Sequence, residues 1–212
     1  MTSGQSRGRW SGVPLEDRQA RRREELIDAG TELLGGEGGP ALTVRAVCRR
    51  ASLTERYFYE SFGERDEFVR AVYDAVCTRA MAALVTATTP REAVERFVAL
   101  MVDDPIRGRV LLLAPEVEPV LTRSGAEWMP NFIDLLQRKL TTITDPVVGH
   151  MAATSLIGGL TALFTAYLDG RLAATREQFI DFCVDTIMSR VDVPDRIRPV
   201  PGTREGAITG ND

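Results

Sequence analysis

Histidine and cysteine are scarce in this sequence, which has one histidine and three cysteines in 212 residues. Cys48, Cys77 and Cys183 lie too far apart to form a zinc motif or a disulfide framework. A single histidine also leaves no histidine-rich metal site. We therefore expect three small, buried, hydrophobic thiols, no bound metal and no cofactor.

The short motifs of common catalytic sites are missing as well. The sequence contains no Walker-type phosphate loop, no G-x-S-x-G, no H-E-x-x-H and no C-x-x-C. A metal cluster built from carboxylates is the remaining enzymatic alternative, and its candidate ligands are Asp103, Asp104, Glu116 and Glu118. These residues flank prolines at predicted helix ends, where polar side chains are common. We therefore expect that the chain is not an enzyme.

No basic start leads into an apolar stretch with a cleavage site, so we expect a cytoplasmic protein. One long segment, between Asp145 and Asp169, carries no charged residue. His150 and several hydroxyl residues dilute its hydrophobicity, and no basic residues flank it. We predict a helix buried between subunits rather than a membrane span.

Charge is unevenly distributed along the chain, whose net charge is −4. Residues 1–23 hold six arginines and two acidic residues, a net charge of +4, so the remainder carries −8. This asymmetry suggests a basic N-terminal segment attached to an acidic remainder of the chain. For Arg7 and Arg9 two interpretations stay open, a solvated tail and an arm in the minor groove of DNA.

Apolar residues recur at helical spacing, Gly and Pro concentrate between the periodic segments, and no strand-like alternation is sustained. The sequence predicts an all-α fold of about nine helices with disordered ends over residues 1–15 and 192–212. Pro130 is expected to kink or break one helix. The residues that signal helix starts are Thr43, Thr54, Thr89-Pro90, Asp145-Pro146 and Thr175 with Gln178.

Two short helices joined by Ala51-Ser52-Leu53 are predicted to form a tight corner. In the second of them Phe58 and Phe62 share the inward face at i, i+4 spacing. The remaining side chains of this helix point largely outward. They are Glu55, Arg56, Tyr57, Tyr59, Glu60 and Ser61.

Residues 43–68, TVRAVCRRASLTERYFYESFGERDEF, resemble the DNA-binding signature of the TetR family of bacterial repressors. The resemblance rests on the apolar spacing, the turn length and the order Tyr59, Phe62, Arg65. It implies a helix-turn-helix domain over residues 16–63 and a C-terminal regulatory and dimerisation domain over residues 64–191. The implied function is a ligand-responsive repressor that binds a palindromic operator as a homodimer and is released by a small-molecule effector.

The resemblance also implies roles for single residues. Arg56 is suited to donate hydrogen bonds to the O6 and N7 atoms of guanine, and Tyr57 to contact a thymine methyl group. Glu55 is suited to accept a hydrogen bond from the amino group of cytosine. Departures from the family pattern are Ser52 where glycine is usual, Ser61 where a basic residue or histidine is usual, and Glu64 where a small polar cap is usual. The expected base-facing residues are Thr54, Glu55, Arg56 and Tyr57, and the expected phosphate contacts are Thr43, Tyr59, Ser61 and Arg65.

The resemblance implies an effector pocket in the C-terminal half, which we expect to be apolar and to lie between helices. We predict that the last two helices make a dimer-forming four-helix bundle. The candidate pocket residues are Phe97, Met101, Leu112, Trp128, Phe132, His150 and Met151. The candidate dimer-interface residues are Leu156, Gly158, Leu160, Phe164, Phe179, Cys183 and Ile187. The alternative function is a dimeric helical module that uses its exposed tyrosines to bind another protein.

Overall fold

A computed structural model describes residues 15–36 and 42–191, which form ten α-helices and no strand. The helices are α1 (Leu15–Gly35), α2 (Val44–Ala51), α3 (Glu55–Ser61), α4 (Arg65–Val85), α5 (Pro90–Met101), α6 (Pro105–Leu112), α7 (Ala114–Val117), α8 (Pro119–Lys139), α9 (Pro146–Leu168) and α10 (Arg176–Val191). The all-α prediction is confirmed. The predicted disorder at the two ends and the roles of Arg7 and Arg9 lie outside the described residues, apart from Leu15, which begins α1.

Most predicted helix starts are built as expected. The Thr43 hydroxyl accepts a hydrogen bond from the Ala46 amide at 3.2 Å, and the Asp145 carboxylate accepts from two amides of α9. Thr175 and Gln178 form a reciprocal capping box. Thr54 is the exception, because it occupies the N-cap position of α3 without a side-chain cap hydrogen bond.

The middle of the chain shows two details that the sequence pattern did not specify. The sequence predicts about nine helices, and the described ranges hold ten, because the four-residue α7 stands between α6 and α8. Pro130 is expected to kink or break its helix, and α8 runs through it from Pro119 to Lys139 without a break. Pro130 itself is solvent-exposed, so its ring does not have to fit inside the core.

The N-terminal unit is held together by three phenylalanines. Phe58 and Phe62 of α3 are 0% and 1% exposed, which confirms that they face inward. Both rings contact Phe68 of α4, with ring centroids 5.1 and 4.9 Å away and steeply inclined planes. The first turn of α4 therefore completes the hydrophobic core beneath α3.

The turn between α2 and α3 contains a left-handed residue. Ser52 has φ 55° and ψ 33°, and its amide and that of Leu53 donate to carbonyls in the last turn of α2. For a residue with a Cβ atom this conformation costs roughly 1–2 kcal/mol, which explains why glycine would suit the position. Ser52 adopts the geometry all the same, so the tight corner is preserved.

Helix α1 packs closely against the rest of the chain through two glycines. A Cβ atom at Gly30 would lie 2.5 Å from the Phe68 ring, and one at Gly35 would lie 2.1 Å from the Ile106 carbonyl oxygen. Side chains at either position would push α1 away from α4 and α6. The N-terminal unit thus rests directly on the larger helical body.

The C-terminal body buries α9 and α10 differently from the prediction. Five side chains assigned to a dimer interface are instead at most 7% exposed within a single chain, namely Leu156, Phe164, Phe179, Cys183 and Ile187. The reason is that α10 packs its apolar stripe on α5, a partner that helical spacing does not identify. Of the predicted interface residues, Gly158 is exposed and Leu160 is half-buried.

The three thiols behave as small hydrophobic groups. Cys48, Cys77 and Cys183 are free and buried, as predicted. Burial raises the pKa of Cys77 to about 12 and that of Cys183 to about 11, so both remain protonated at neutral pH.

Helix α9 is, among the described residues, the one helix long and apolar enough to cross a membrane by length and composition. One of its faces packs against α8 and α6 and includes the buried Ala153 and Leu156. Its other face is solvent-exposed and, beyond Val147, His150 and Met151 near the start of the helix, is formed by small or hydroxyl-bearing residues. These are Thr154, Ser155, Gly158, Gly159 and Ala162.

Candidate functional site

Helix α3 presents a polar face to solvent above its buried phenylalanines. Thr54, Glu55 and Arg56 are exposed, and Tyr59 is 55% exposed beside the fully buried Phe58. The predicted base-facing and phosphate-contacting residues of α3 therefore share one accessible surface, apart from Tyr57 and Ser61, which are half-buried.

The cations on this surface are paired with carboxylates of α3. The Arg56 Nε atom donates to Glu60 at 2.8 Å, and Arg45 of α2 donates to Glu55 at 3.4 Å. The hydrogen bond to Glu60 raises the pKa of Arg56 above its usual value. Exposed pairs of this type are weak, so both arginines can exchange their partners for phosphates or bases at little cost.

Arg22 of α1 is a member of the surface that sequence reasoning did not assign to DNA. Its guanidinium lies 4.1 Å from the centroid of the Tyr57 ring, a cation–π contact, and 3.8 Å from the Glu60 carboxylate. This packing is why Tyr57 is half-buried. A signal was present, because Arg22 precedes the buried Leu26 by four residues and so shares its inward face.

Arg65, at the start of α4, is held by groups from two other parts of the chain. Its Nε atom donates to the Leu42 carbonyl at 2.9 Å, and its two terminal nitrogens donate to the Glu118 carboxylate at 3.2 and 2.8 Å. Glu118 occupies the N-cap position of α8. The hydrogen bonds to Glu118 raise the pKa of Arg65, and together with the bond to Leu42 they tie the helix-turn-helix unit to the C-terminal body.

A mostly apolar cavity of about 170 Å³ lies within the C-terminal body. Four of the seven predicted pocket residues line it, namely Phe97, Leu112, Trp128 and Phe132. The other three do not. Met101 is fully buried elsewhere in the core, while His150 and Met151 lie on the exposed face of α9, where His150 contacts Gln137 at 3.3 Å.

The sequence missed further walls of this cavity because they come from helices far apart in the chain. Tyr73 of α4, Ile157 and Thr161 of α9 line it, and so do Leu160, Phe164 and Ile187, which were assigned to the dimer interface. Burial raises the pKa of the Tyr73 hydroxyl well above its usual value, and this hydroxyl donates to the Leu111 carbonyl at 3.4 Å. The Trp128 indole nitrogen donates to Asp74 of α4 at 2.7 Å.

The carboxylates considered as a metal cluster are engaged separately. Asp103 accepts two hydrogen bonds from the Arg176 guanidinium, at 3.0 and 2.8 Å, in a bidentate ion pair. Asp104 caps α6, and Glu118 forms an ion pair with Arg65. Across residues 15–36 and 42–191 no three His, Cys, Asp or Glu side chains are grouped as a metal ion would require. Asp103, Asp104 and Glu118 thus serve as helix caps and ion-pair partners.

Comparison with known proteins matches this geometry. Residues 26–72 match the family model described as bacterial regulatory proteins, tetR family. The chain is also 24% identical over 173 residues to the HTH-type transcriptional regulator BetI of Rhizobium meliloti strain 1021, an alignment that covers 80% of this chain and 79% of the relative.

Solved structures share the fold over nearly their whole length. A transcriptional regulator from Rhodococcus sp. Rha1 superposes with a TM-score of 0.65 and 17% identity, covering 80% of this chain and 95% of that one. The multidrug binding protein EbrR, crystallised with imidazole, superposes with a TM-score of 0.58 and 22% identity, covering 87% and 98% of the two chains.

The exposed short helix on a three-helix N-terminal unit, the matched family model and the similarity to BetI together support a helix-turn-helix transcriptional regulator. The family model matched over residues 26–72 is that of the TetR family, which agrees with the resemblance seen in residues 43–68. The prediction that it is not an enzyme agrees with this class, since the family and its structural neighbours are transcriptional regulators.

Proposed function

We propose that this regulator is a cytoplasmic repressor that binds a palindromic operator as a homodimer and is released by a small molecule. Residues 16–63 would form the DNA-binding unit and residues 64–191 the regulatory and dimerisation unit. The observation that carries this proposal is the exposed face of α3, with Arg56 and Tyr59 in solvent above the buried Phe58 and Phe62. A helix presented in this way fits the major groove.

Selection of operators from random duplexes, followed by titration at two salt concentrations, tests the proposal. Binding to DNA should weaken steeply as salt rises, because the protein's cations displace counterions from phosphates. The selected sequences should be palindromic, with half-sites about one helical turn apart or a multiple of it. Complete absence of a duplex complex would instead favour a module that binds protein through its exposed tyrosines.

Changes at Arg56 and Tyr59 should separate sequence selection from general affinity. Arg56→Ala should relax preference at one base pair per half-site, at a cost of about 1–3 kcal/mol for the preferred base. Tyr59→Ala should weaken binding to all duplexes alike, because a phosphate contact carries no sequence information. Titration of each variant against a panel of single-base operator variants measures both effects. Equal losses on every duplex for both variants would refute this division of roles.

The proposed dimer surface is the exposed face shared by α9 and α10. It carries no charged residue along α9, and apolar side chains border it, including Met151 at 48% and Phe182 at 58% exposure. Gly158 lies in the middle of the α9 face, and a Cβ atom there would meet nothing within 4 Å. Small residues let a second helix approach closely, and association would remove the apolar side chains from water.

Arg65 and Glu118 supply a physical link between effector and DNA. We propose that Arg65 exchanges the Glu118 carboxylate for a phosphate when the protein docks on DNA. Helix α8, which begins beside Glu118, also lines the cavity through Trp128 and Phe132. A ligand that shifts α8 would therefore change how firmly Arg65 is held, and only such a difference between conformations allows a ligand to regulate DNA binding.

Glu118→Gln should raise affinity for duplex DNA of any sequence by about 2- to 5-fold, because it weakens a partly exposed ion pair that competes with phosphate. The matched control is Glu116→Gln, which removes the same charge from an exposed position nearby and should have a smaller effect. Titration of both variants with operator and unrelated DNA at fixed salt provides the measurement. Equal affinities for the two variants would show that Glu118 does not compete for Arg65.

A further inference from the structure

The cavity in the C-terminal body has a size and a charge pattern that define a class of ligand. Building on the proposed function, in which a small molecule releases the operator, we propose that this cavity binds an uncharged compound with a single aromatic ring. Three properties of the lining support this assignment, namely its volume, its aromatic walls and the way its few polar groups are already engaged.

The volume of the cavity matches that of a ligand with one six-membered ring. The cavity measures about 170 Å³. An apolar cavity of roughly 150 Å³ lined by aliphatic and aromatic side chains is known to remain dry and to bind benzene. A single six-membered ring with one small substituent therefore fits the space, whereas a larger fused-ring or long-chain molecule would extend from the site toward solvent.

The walls suit an aromatic ligand. Phe97 of α5 and Phe164 of α9 form an edge-to-face pair with centroids 4.9 Å apart, and Trp128 and Phe132 of α8 add two more rings. Aromatic rings prefer edge-to-face and offset contacts with one another. A ligand ring inserted between these helices would meet such contacts from more than one side.

A charged ligand is disfavoured because the lining offers few groups of opposite charge. No carboxylate is among the described residues that line the cavity, so a cationic ligand would lack a counterion there. Lys139 is the one charged residue in that lining, and its ammonium donates to the carbonyls of Ala87 at 2.7 Å and Val85 at 3.4 Å, at the end of α4. A charge moved from water into such apolar surroundings carries a large desolvation cost.

The remaining polar groups allow a weakly polar substituent. The Tyr73 hydroxyl and the Trp128 indole nitrogen already donate to Leu111 and Asp74. Thr161 contributes a further hydroxyl to the lining. A neutral hydroxyl or methyl group on the ring is therefore compatible with the site.

Three probes that share one ring test the assignment, namely toluene, benzoate and benzylammonium. The full chain carrying Trp10→Phe retains Trp128 as its one tryptophan, so the change in its fluorescence reports occupancy of the cavity. Toluene should bind at least tenfold more tightly than either charged probe and should raise the melting temperature. Tighter binding of benzoate would overturn the proposal in favour of an anionic ligand held by Lys139, and tighter binding of benzylammonium would overturn it in favour of a cation.

A cavity-filling variant tests the location. Ala93→Leu adds bulk to the lining from α5 and should reduce toluene affinity at least tenfold, while Ala99→Leu changes an exposed position of the same helix and should leave it unaltered. Failure of all three probes to bind the parent chain would refute the ligand class even if Ala93→Leu does not fold. Operator binding without any probe is measured on the same preparation, so failure of the proposed DNA-binding function would be seen separately.

Discussion

Replacing Phe58 with alanine should lower the free energy of unfolding by about 3–5 kcal/mol and abolish operator binding. The ring is 0% exposed and contacts both Phe62 and Phe68, with centroids 5.7 and 5.1 Å away. Its removal would leave a cavity directly beneath α3, so the helix could no longer hold Arg56 and Tyr59 in one orientation. Urea denaturation gives the loss of stability, and titration with the selected operator gives the loss of binding.

The neighbouring Tyr59→Ala is the matched control for this prediction. Tyr59 follows Phe58 on the same helix, but its side chain is 55% exposed, so its removal should cost less than about 1 kcal/mol of stability. We expect Tyr59→Ala to remain folded and to lose DNA affinity. Similar stabilities for the two variants would mean that the aromatic cluster does not support α3.

Gly158→Glu should produce a folded monomer with operator affinity reduced by about 10²- to 10⁴-fold, because loss of the dimer removes the effective concentration that a second half-site contact provides. The position is exposed, and a Cβ atom added to Gly158 would meet no other atom within 4 Å, so the protomer tolerates the side chain. A charge on the proposed dimer surface would have to be buried in the dimer without a partner, which is strongly unfavourable.

Analytical ultracentrifugation of Gly158→Glu and of Ala126→Glu measures the oligomeric state. Ala126 is exposed on α8, so a charge there should change neither dimerisation nor operator affinity. Gly158 is preferable to Leu160 as a test, because Leu160 also lines the cavity and a charge there would disturb two sites at once. Retention of the dimer by Gly158→Glu would remove the exposed face of α9 from the interface.

The helix-turn-helix was predictable because its determinants are local. Phe58 and Phe62 lie four residues apart, and the Thr43 cap lies three residues before the amide that it accepts from. Caps and short-range apolar spacing act within one or two helical turns, so they can be recognised in a linear sequence. The replacement of the usual glycine by Ser52 was also visible in the sequence. Its left-handed backbone conformation could be seen only in the three-dimensional structure.

The C-terminal half was less predictable because its contacts join distant segments. Phe179, Cys183 and Ile187 form an apolar stripe that would suit a dimer interface or an intrachain partner equally well, and α5 is the partner that the structure provides. Similarly, His150 and Met151 have the composition of pocket residues but lie on the outer face of α9. Helical spacing shows that a face is apolar without showing what covers it.

By itself, the sequence determined the helical class, most of the helix caps and the buried side of α3, because each depends on residues within a few positions of one another. Only the tertiary structure decided that Arg65 pairs with Glu118, 53 residues away, and that six helices contribute to the lining of one apolar cavity. Those arrangements depend on how whole helices pack, and many packings are compatible with the same pattern of apolar and polar residues.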